Sequence, residues 1–131
     1  LDTNSCIDHL RRGAASHVTA RLAAANPGSV VLCSVVVAEL IYGAHRSAQP
    51  ARTMNQVRAF CAPLVSLPFD DRAAAEYGRI RAHLASLGTP IGPNDLLIAA
   101  IALANGFTLV THDTAEFSRV PGLALEDWVV P

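Results

Sequence analysis

Short apolar runs alternate with helical patterns along the whole chain, and this alternation constrains the fold more than any other feature. Three runs have the length of strands and lie between turn residues, at 30–33, 64–67 and 108–111, and a fourth begins at 123–125. Runs that are apolar throughout suit strands buried on both faces. Strands separated by helices pair in parallel through right-handed crossovers. The sequence therefore predicts an α/β fold with a central parallel sheet flanked by helices.

Helical segments fill the intervals between these runs. Asn4 or Ser5 is predicted to cap the first helix, and Ser34 the third. One segment, 95–105, contains the sequence LLIAAIALA, which is apolar on every face and is followed by Gly106. A helix that is apolar all round belongs in the core, so we expect this one to be buried. The predicted helices run to residue 12 and over 16–25, 35–44, 51–60, 72–87 and 95–105.

The composition limits how this chain can bind nucleic acid. Its 131 residues are 51% hydrophobic and 16% charged, which suits one compact domain. Every basic side chain is an arginine, and the formal net charge is -1. Proteins that bind phosphates mainly through side-chain charge carry a basic surplus. Any contact with nucleic acid must therefore be local or depend on a bound cation.

The cysteines and the apolar segments indicate an intracellular protein. Cys6, Cys33 and Cys61 are odd in number and widely spaced, so they match neither a zinc pattern nor a disulfide framework. We expect reduced thiols, as in a cytosol. The longest apolar run, 96–104, is too short to cross a bilayer, and no signal-like segment precedes it. The prediction is a cytoplasmic protein with no membrane contact.

Acidic residues fall where a parallel sheet places its functional sites, beyond the carboxyl ends of the strands. The acids at such positions are Asp2, Glu39, Asp95, Asp113 and, one turn later, Glu116. Most of them also have a purely structural interpretation. Asp2 is equally a candidate helix cap, and Asp95 suits the favourable end of a helix dipole. Asp113 and Glu116 fit a capping box.

Glu39 is the hardest of these acids to explain without a site. It is the only charge in the apolar segment 35–42. Burying a carboxylate there costs free energy unless it is paired or binds a metal. Arg46 is the nearest arginine downstream, and an ion pair with an arginine from elsewhere in the chain is the alternative.

Carboxylates that meet need a proton or a cation between them. At about 4 Å, two of them repel by roughly 4 kcal/mol at an effective dielectric constant near 20. A set of oxygen ligands without cysteine or histidine selects a hard ion, Mg²⁺ or Mn²⁺. Such an ion lowers the pKa of a bound water and offsets charge on a phosphate. The pattern therefore favours metal-dependent hydrolysis of phosphodiester bonds.

Five segments carry a recognisable pattern in the order in which they occur. They are Leu-Asp-Thr-Asn at 1–4, Ala-Glu-Leu-Ile-Tyr-Gly-Ala at 38–44, Ile-Gly-Pro-Asn-Asp-Leu-Leu-Ile-Ala-Ala at 91–100, Leu-Val-Thr-His-Asp-Thr-Ala-Glu-Phe at 109–117, and Val-Pro-Gly-Leu followed by Glu-Asp-Trp at the end. Each segment alone is weak, but the ordered set covers nearly the whole chain. It resembles the PIN-domain ribonucleases, and among them the VapC-type toxins of bacterial toxin–antitoxin pairs.

The resemblance implies a three-layer PIN-like fold and a metal-dependent endoribonuclease, with Mg²⁺ or Mn²⁺ as the cofactor. It also implies that the protein is the toxin of a type II toxin–antitoxin system. The expected partners are a cognate antitoxin, a second copy of the chain in a homodimer, and an RNA substrate, for which transfer RNA is the candidate.

The resemblance also assigns roles to seven residues. The catalytic acids would be Asp2, Glu39, Asp95 and Asp113. The metal ligands among them would be Asp2, Asp95 and Asp113. Three residues would support these acids: Asn4 and Thr111 by orienting them, and Glu116 by supplying or steering the remaining charge.

The sequence departs from the family's pattern just before the first acid. The family has a full apolar strand before it, whereas only Leu1 precedes Asp2 here. We therefore expect a single domain over 1–131 whose native N-terminal strand is truncated.

Four arginines have two possible interpretations. They are candidates to line an RNA groove, or they are solvated arginines at helix ends: Arg11, Arg12, Arg46 and Arg52.

Two other functions stay open at this point. A phosphatase with an aspartate nucleophile also begins with Asp after a strand, but it requires a second Asp two residues on, where this chain has Asn4. The other is a non-catalytic PIN-like module that only binds a partner. The presence of every acid counts against that module.

Overall fold

Seven α-helices and four short strands make up the fold in a computed structural model that describes residues 1–131. The helices are α1 Thr3–Arg12, α2 His17–Ala24, α3 Ser34–Arg46, α4 Pro50–Cys61, α5 Asp71–Ser86, α6 Pro93–Asn105 and α7 Thr114–Phe117. The strands are β1 Leu32–Cys33, β2 Ser66–Leu67, β3 Leu109–Val110 and β4 Leu125–Glu126. Each strand is shorter than the apolar run that predicted it, but every predicted element is present.

The strands form two parallel pairs, β1 with β2 and β3 with β4. The N-terminus lies between the pairs and contacts both. The amine of Leu1 donates to the carbonyl of Val31 at 3.3 Å, and the N–H of Asp2 donates to the carbonyl of Val110 at 2.9 Å. The predicted α/β class with parallel strands is confirmed. Residues preceding Leu1 stay a prediction.

Helix α6 is the buried helix that its apolar sequence predicted. Its side chains from Leu96 to Ala102 are nearly all buried, and it packs along α5 and against α3. Pro93 stands in its first turn, where a missing N–H costs nothing. Gly106 ends the helix with a φ of 69°, a left-handed conformation that glycine adopts without strain. The first turn of α6 is thereby placed at a fixed position at the edge of the core.

Two of the predicted helix caps are wrong. Helix α1 is capped by Asp2, which confirms the structural interpretation given for this acid, and not by Asn4 or Ser5. Asp2 has an extended backbone, and its carboxylate accepts a hydrogen bond from the N–H of Ser5 at 2.9 Å. Helix α3 begins at Ser34 itself, with Cys33 before it and no side-chain cap. The first acid of the chain is therefore locked at the start of a helix.

The three cysteines are free thiols, as predicted from their spacing. Burial raises the pKa of the Cys6 thiol to about 12, so this thiol is unreactive. None of the seven helices combines the length and the apolar character that crossing a bilayer requires.

Candidate active site

Three carboxylates meet at one edge of the fold. Asp95 stands in the first turn of α6, Asp113 lies between β3 and α7, and Glu116 belongs to α7. One oxygen of each lies within 4.8 Å of the others, and no cation of the protein pairs with any of them. The cluster arises because the end of β3 and the start of α6 lie side by side.

The surroundings of Asp95 show that further acids belong to the same site. Burial raises the pKa of Asp95 to about 7, assisted by a hydrogen bond to Glu116 and by repulsion from Glu116, Glu39 and Asp2. Salt screens such repulsion largely beyond about 10 Å at exposed sites. The acids predicted from four separate segments therefore share one electrostatic environment.

Asp2 is held by two hydrogen bonds and is only 4% exposed. One oxygen accepts from the N–H of Ser5, and the other accepts from the hydroxyl of Thr111 at 2.6 Å. Thr111 is fully buried, and its hydroxyl oxygen also accepts from the N–H of Asp113 at 3.0 Å. The Thr111 hydroxyl thus links the carboxylate of Asp2 to the backbone of Asp113.

Glu39 is half-buried on α3 and bonds to a hydroxyl. The hydroxyl of Thr3 donates to its Oε1 at 2.6 Å. None of the salt bridges in the molecule includes Glu39, so the alternative of a core ion pair with an arginine is wrong. Sequence reasoning missed Thr3. Its signal was its position directly after Asp2, in the first turn of a helix that packs against α3.

The side chain of Glu116 bonds outside its own helix, next to the other two acids of the cluster. In the capping box that the sequence suggested, its side chain would bond back to the N–H of Asp113. Only half of that box forms, because Asp113 accepts from the N–H of Glu116 at 3.2 Å while Glu116 accepts instead from the N–H of Gly92 at 2.8 Å. The backbone of Gly92, just before α6, is a second contact that sequence reasoning missed.

The acids that lie together in the structure are not the same set that the resemblance implied as metal ligands. The tight cluster contains Glu116, which was predicted to support the acids, whereas Asp2, predicted as a metal ligand, has both oxygens engaged by donors. Asn4 is exposed, and its side chain makes no hydrogen bond to an acid. The residue beside Asp2 whose side chain bonds to an acid is Thr3, which bonds to Glu39.

The donor set fits a hard divalent cation. Its groups are carboxylates alone, since His112 turns away from the cluster and bonds to Asp127 at 2.9 Å. Burial first, and then the neighbouring carboxylates, raise the pKa of Asp95, so a cation placed among these oxygens would favour its ionised form. Oxygen ligands of this kind are those that Mg²⁺ and Mn²⁺ prefer.

Residues 1–123 match the family model of the PIN domain. The chain belongs to the PIN domain family. Its relatives include the protein named tRNA(fMet)-specific endonuclease VapC from Salmonella typhimurium, which is 41% identical over 128 residues that cover 98% of this chain and 96% of the relative. The protein of the same name from Shigella flexneri is 43% identical over the same shares of the two chains.

The solved structures agree with this membership. A chain in the crystal structure of DNA-bound VapBC from Salmonella typhimurium superposes on this PIN domain with a TM-score of 0.90 at 40% identity, covering 97% of this chain and 95% of that one. The three-layer PIN-like fold implied by the resemblance is thereby confirmed. The roles of individual acids stay predictions that rest on the contacts described above.

Proposed function

We propose that this PIN domain is a metal-dependent endoribonuclease that hydrolyses phosphodiester bonds of RNA, with transfer RNA as its substrate. The observation that carries the proposal is the convergence of carboxylates from α1, α3, α6 and the β3–α7 segment on one edge of the fold. The names of the Salmonella and Shigella relatives support RNA cleavage and favour transfer RNA.

Asp95, Asp113 and Glu116 would hold Mg²⁺ or Mn²⁺, with Asp2 beside them. The bound ion supplies a water of lowered pKa and offsets negative charge on the phosphate. Binding requires Asp95 to release the proton that it holds up to about pH 7 in the metal-free protein. Metal binding should therefore strengthen as the pH rises toward neutrality.

The remaining contacts keep the acids in place for this chemistry. Thr111 and the backbone of Ser5 set the orientation of Asp2, and Thr3 sets that of Glu39. The backbone of Gly92 holds Glu116 against the start of α6. Each orienting donor is a hydroxyl or an amide on a helix, directly before a helix or next to a strand, so the carboxylates are positioned before substrate arrives.

We also propose that the protein is the toxin of a type II toxin–antitoxin pair and that it forms a homodimer. The VapBC complex that its fold matches supports a protein antitoxin as its partner. An antitoxin that places an arginine among the acids would block the site, because a guanidinium makes strong paired hydrogen bonds to carboxylates.

Incubation of the purified protein with transfer RNA and Mn²⁺ tests the proposal. We expect cleavage that stops with EDTA and in Asp95→Asn, and sequencing of new RNA 5′ ends after induction in cells should locate the cut. Cleavage that persists in EDTA would contradict the metal dependence. Tight binding of an antitoxin with no cleavage of any RNA would instead support the non-catalytic module.

A further inference from the structure

A cavity opens directly beside the acids, between α3 and the start of α6. It measures about 490 Å³. Glu39 belongs both to the acid site and to the wall of this cavity, and Asn94 on the opposite wall immediately precedes Asp95. The cavity and the acid site therefore share the Glu39 side chain. The side chains that matter here are Val35, Ala38, Glu39, Tyr42, Asn94 and Leu97.

Tyr42 is the most exposed aromatic residue of the chain, at 61%. It stands one helical turn beyond Glu39, on the same face of α3. Arg46 is its one polar partner: the guanidinium donates to the tyrosine hydroxyl at 2.9 Å and lies 5.8 Å from the ring centre. No aromatic ring packs against it. The ring thus leaves an apolar surface open at the mouth of the cavity.

A second tyrosine–arginine pair on α5 shows which part of this arrangement is unusual. Tyr77 and Arg81 have the same spacing, a hydroxyl contact of 2.8 Å and a ring distance of 5.7 Å. The ring of Tyr77, however, is half-buried and packs edge-on against Phe69 at 5.9 Å. The contact with arginine is therefore ordinary helix geometry. What distinguishes Tyr42 is its open ring next to the acids.

We propose that Tyr42 is a substrate-binding residue that stacks on the base of a single-stranded RNA nucleotide adjoining the scissile phosphate. This inference rests on the proposed ribonuclease function. Arg46 contacts a neighbouring phosphate, and the Asn94 amide, which offers both donors and an acceptor, faces the edge of the base. Stacking of a base on an aromatic ring contributes binding free energy that does not come from charge. A stacked base would therefore add to the local charge of Arg46 in a chain whose net charge is only -1.

Fluorescence anisotropy of a fluorescein-labelled, single-stranded oligoadenylate tests this proposal. Measurements in the Asp95→Asn background with EDTA separate binding from cleavage. We expect Tyr42→Ala to raise Kd about tenfold, the effect of losing one stacked base, and Tyr42→Phe to leave Kd unchanged. Arg46→Ala should weaken binding and lower the slope of log Kd against log salt by about 1. Arg81→Ala, the matched control on α5, should change neither.

Two further measurements keep the result unambiguous. Circular dichroism and light scattering of Tyr42→Ala should show an unchanged fold and mass, as expected for an exposed side chain. If wild type cleaves RNA but Tyr42→Ala binds the oligoadenylate as tightly as its parent, the proposal is wrong and the ribonuclease stands. A changed mass with unchanged RNA affinity would assign Tyr42 to a protein interface and also overturn the proposal. If wild type cuts no RNA, both proposals fail.

Discussion

The two halves of the acid site differ in how their charges are satisfied. Asp2 and Glu39 accept hydrogen bonds from hydroxyl and backbone donors of the protein. Asp95, Asp113 and Glu116 face one another, and the pKa of Asp95 rises to about 7 as a result of burial and repulsion. In the second half, Glu116 and Asp113 also accept bonds from backbone N–H groups, but the three carboxylates still face one another, and a proton or a cation is needed to offset their repulsion. The difference separates positioning from metal binding within one site.

Asp95→Asn and Asp2→Ala should cause the largest losses of cleavage activity. Their effects on the stability of the fold should have opposite signs. Both should lower RNA cleavage by more than about 100-fold, beyond the loss typical of outer partners of a metal site. In EDTA at pH 8, Asp95→Asn should raise the Tm because repulsion is removed. Asp2→Ala should lower the free energy of unfolding by about 1 kcal/mol because a helix cap is lost. If both variants shifted the Tm in the same direction and by the same amount, the proposed difference between the two halves of the site would be wrong.

Thr111→Val tests whether the first half depends on its donor. The change leaves a buried oxygen of Asp2 without a partner, so we expect a loss of about 1–3 kcal/mol in the free energy of unfolding. Cleavage should fall by about 10–100-fold, as for partners that orient metal ligands. Thr111→Ser keeps the hydroxyl and should recover most of the activity. Full activity of Thr111→Val would show that Asp2 needs no orienting group.

The pH dependence of stability tests the second half. Asp95 has a pKa of about 7 in the folded protein against 3.8 for a free aspartate, so its proton stabilises the fold fully below about pH 4. That contribution is lost as the pH rises through 7. The Tm of the metal-free protein should therefore fall over this range relative to Asp95→Asn. Acids with lowered pKa values, such as Asp70, act in the opposite direction but equally in both proteins. Mn²⁺ should remove the difference.

Thr3→Val and Asn4→Ala should show the smallest effects, and they form a matched pair beside Asp2. Thr3 bonds to Glu39, whereas the exposed Asn4 contacts no acid. We expect Thr3→Val to lower the rate of cleavage severalfold. Asn4→Ala should affect cleavage less than Thr3→Val does, and it should change the free energy of unfolding by less than about 0.5 kcal/mol. Steady-state cleavage rates and thermal melts measure both. A greater loss of activity in Asn4→Ala would restore the role that the resemblance implied for Asn4.

The helices and strands could be predicted because their signals are local. The apolar sequence of α6 required burial, and Gly106 marked the end of this helix. Strand ends and some caps could not be predicted, since Asp2, Asn4 and Ser5 are all good capping residues. The extended backbone that Asp2 adopts beside Val110 decides among them.

The sequence by itself determined the parallel α/β class, the buried helix and the segments that supply the acids. Apolar patterns and the alternation of strands and helices involve residues that are close together in the chain, so they can be recognised without the structure. Only the tertiary structure decided which acids face one another. Glu116 turns to the amide of Gly92 and Thr111 to Asp2, across 24 and 109 positions of the chain. Contacts over such separations depend on how the elements pack, and no pattern of neighbouring residues specifies them.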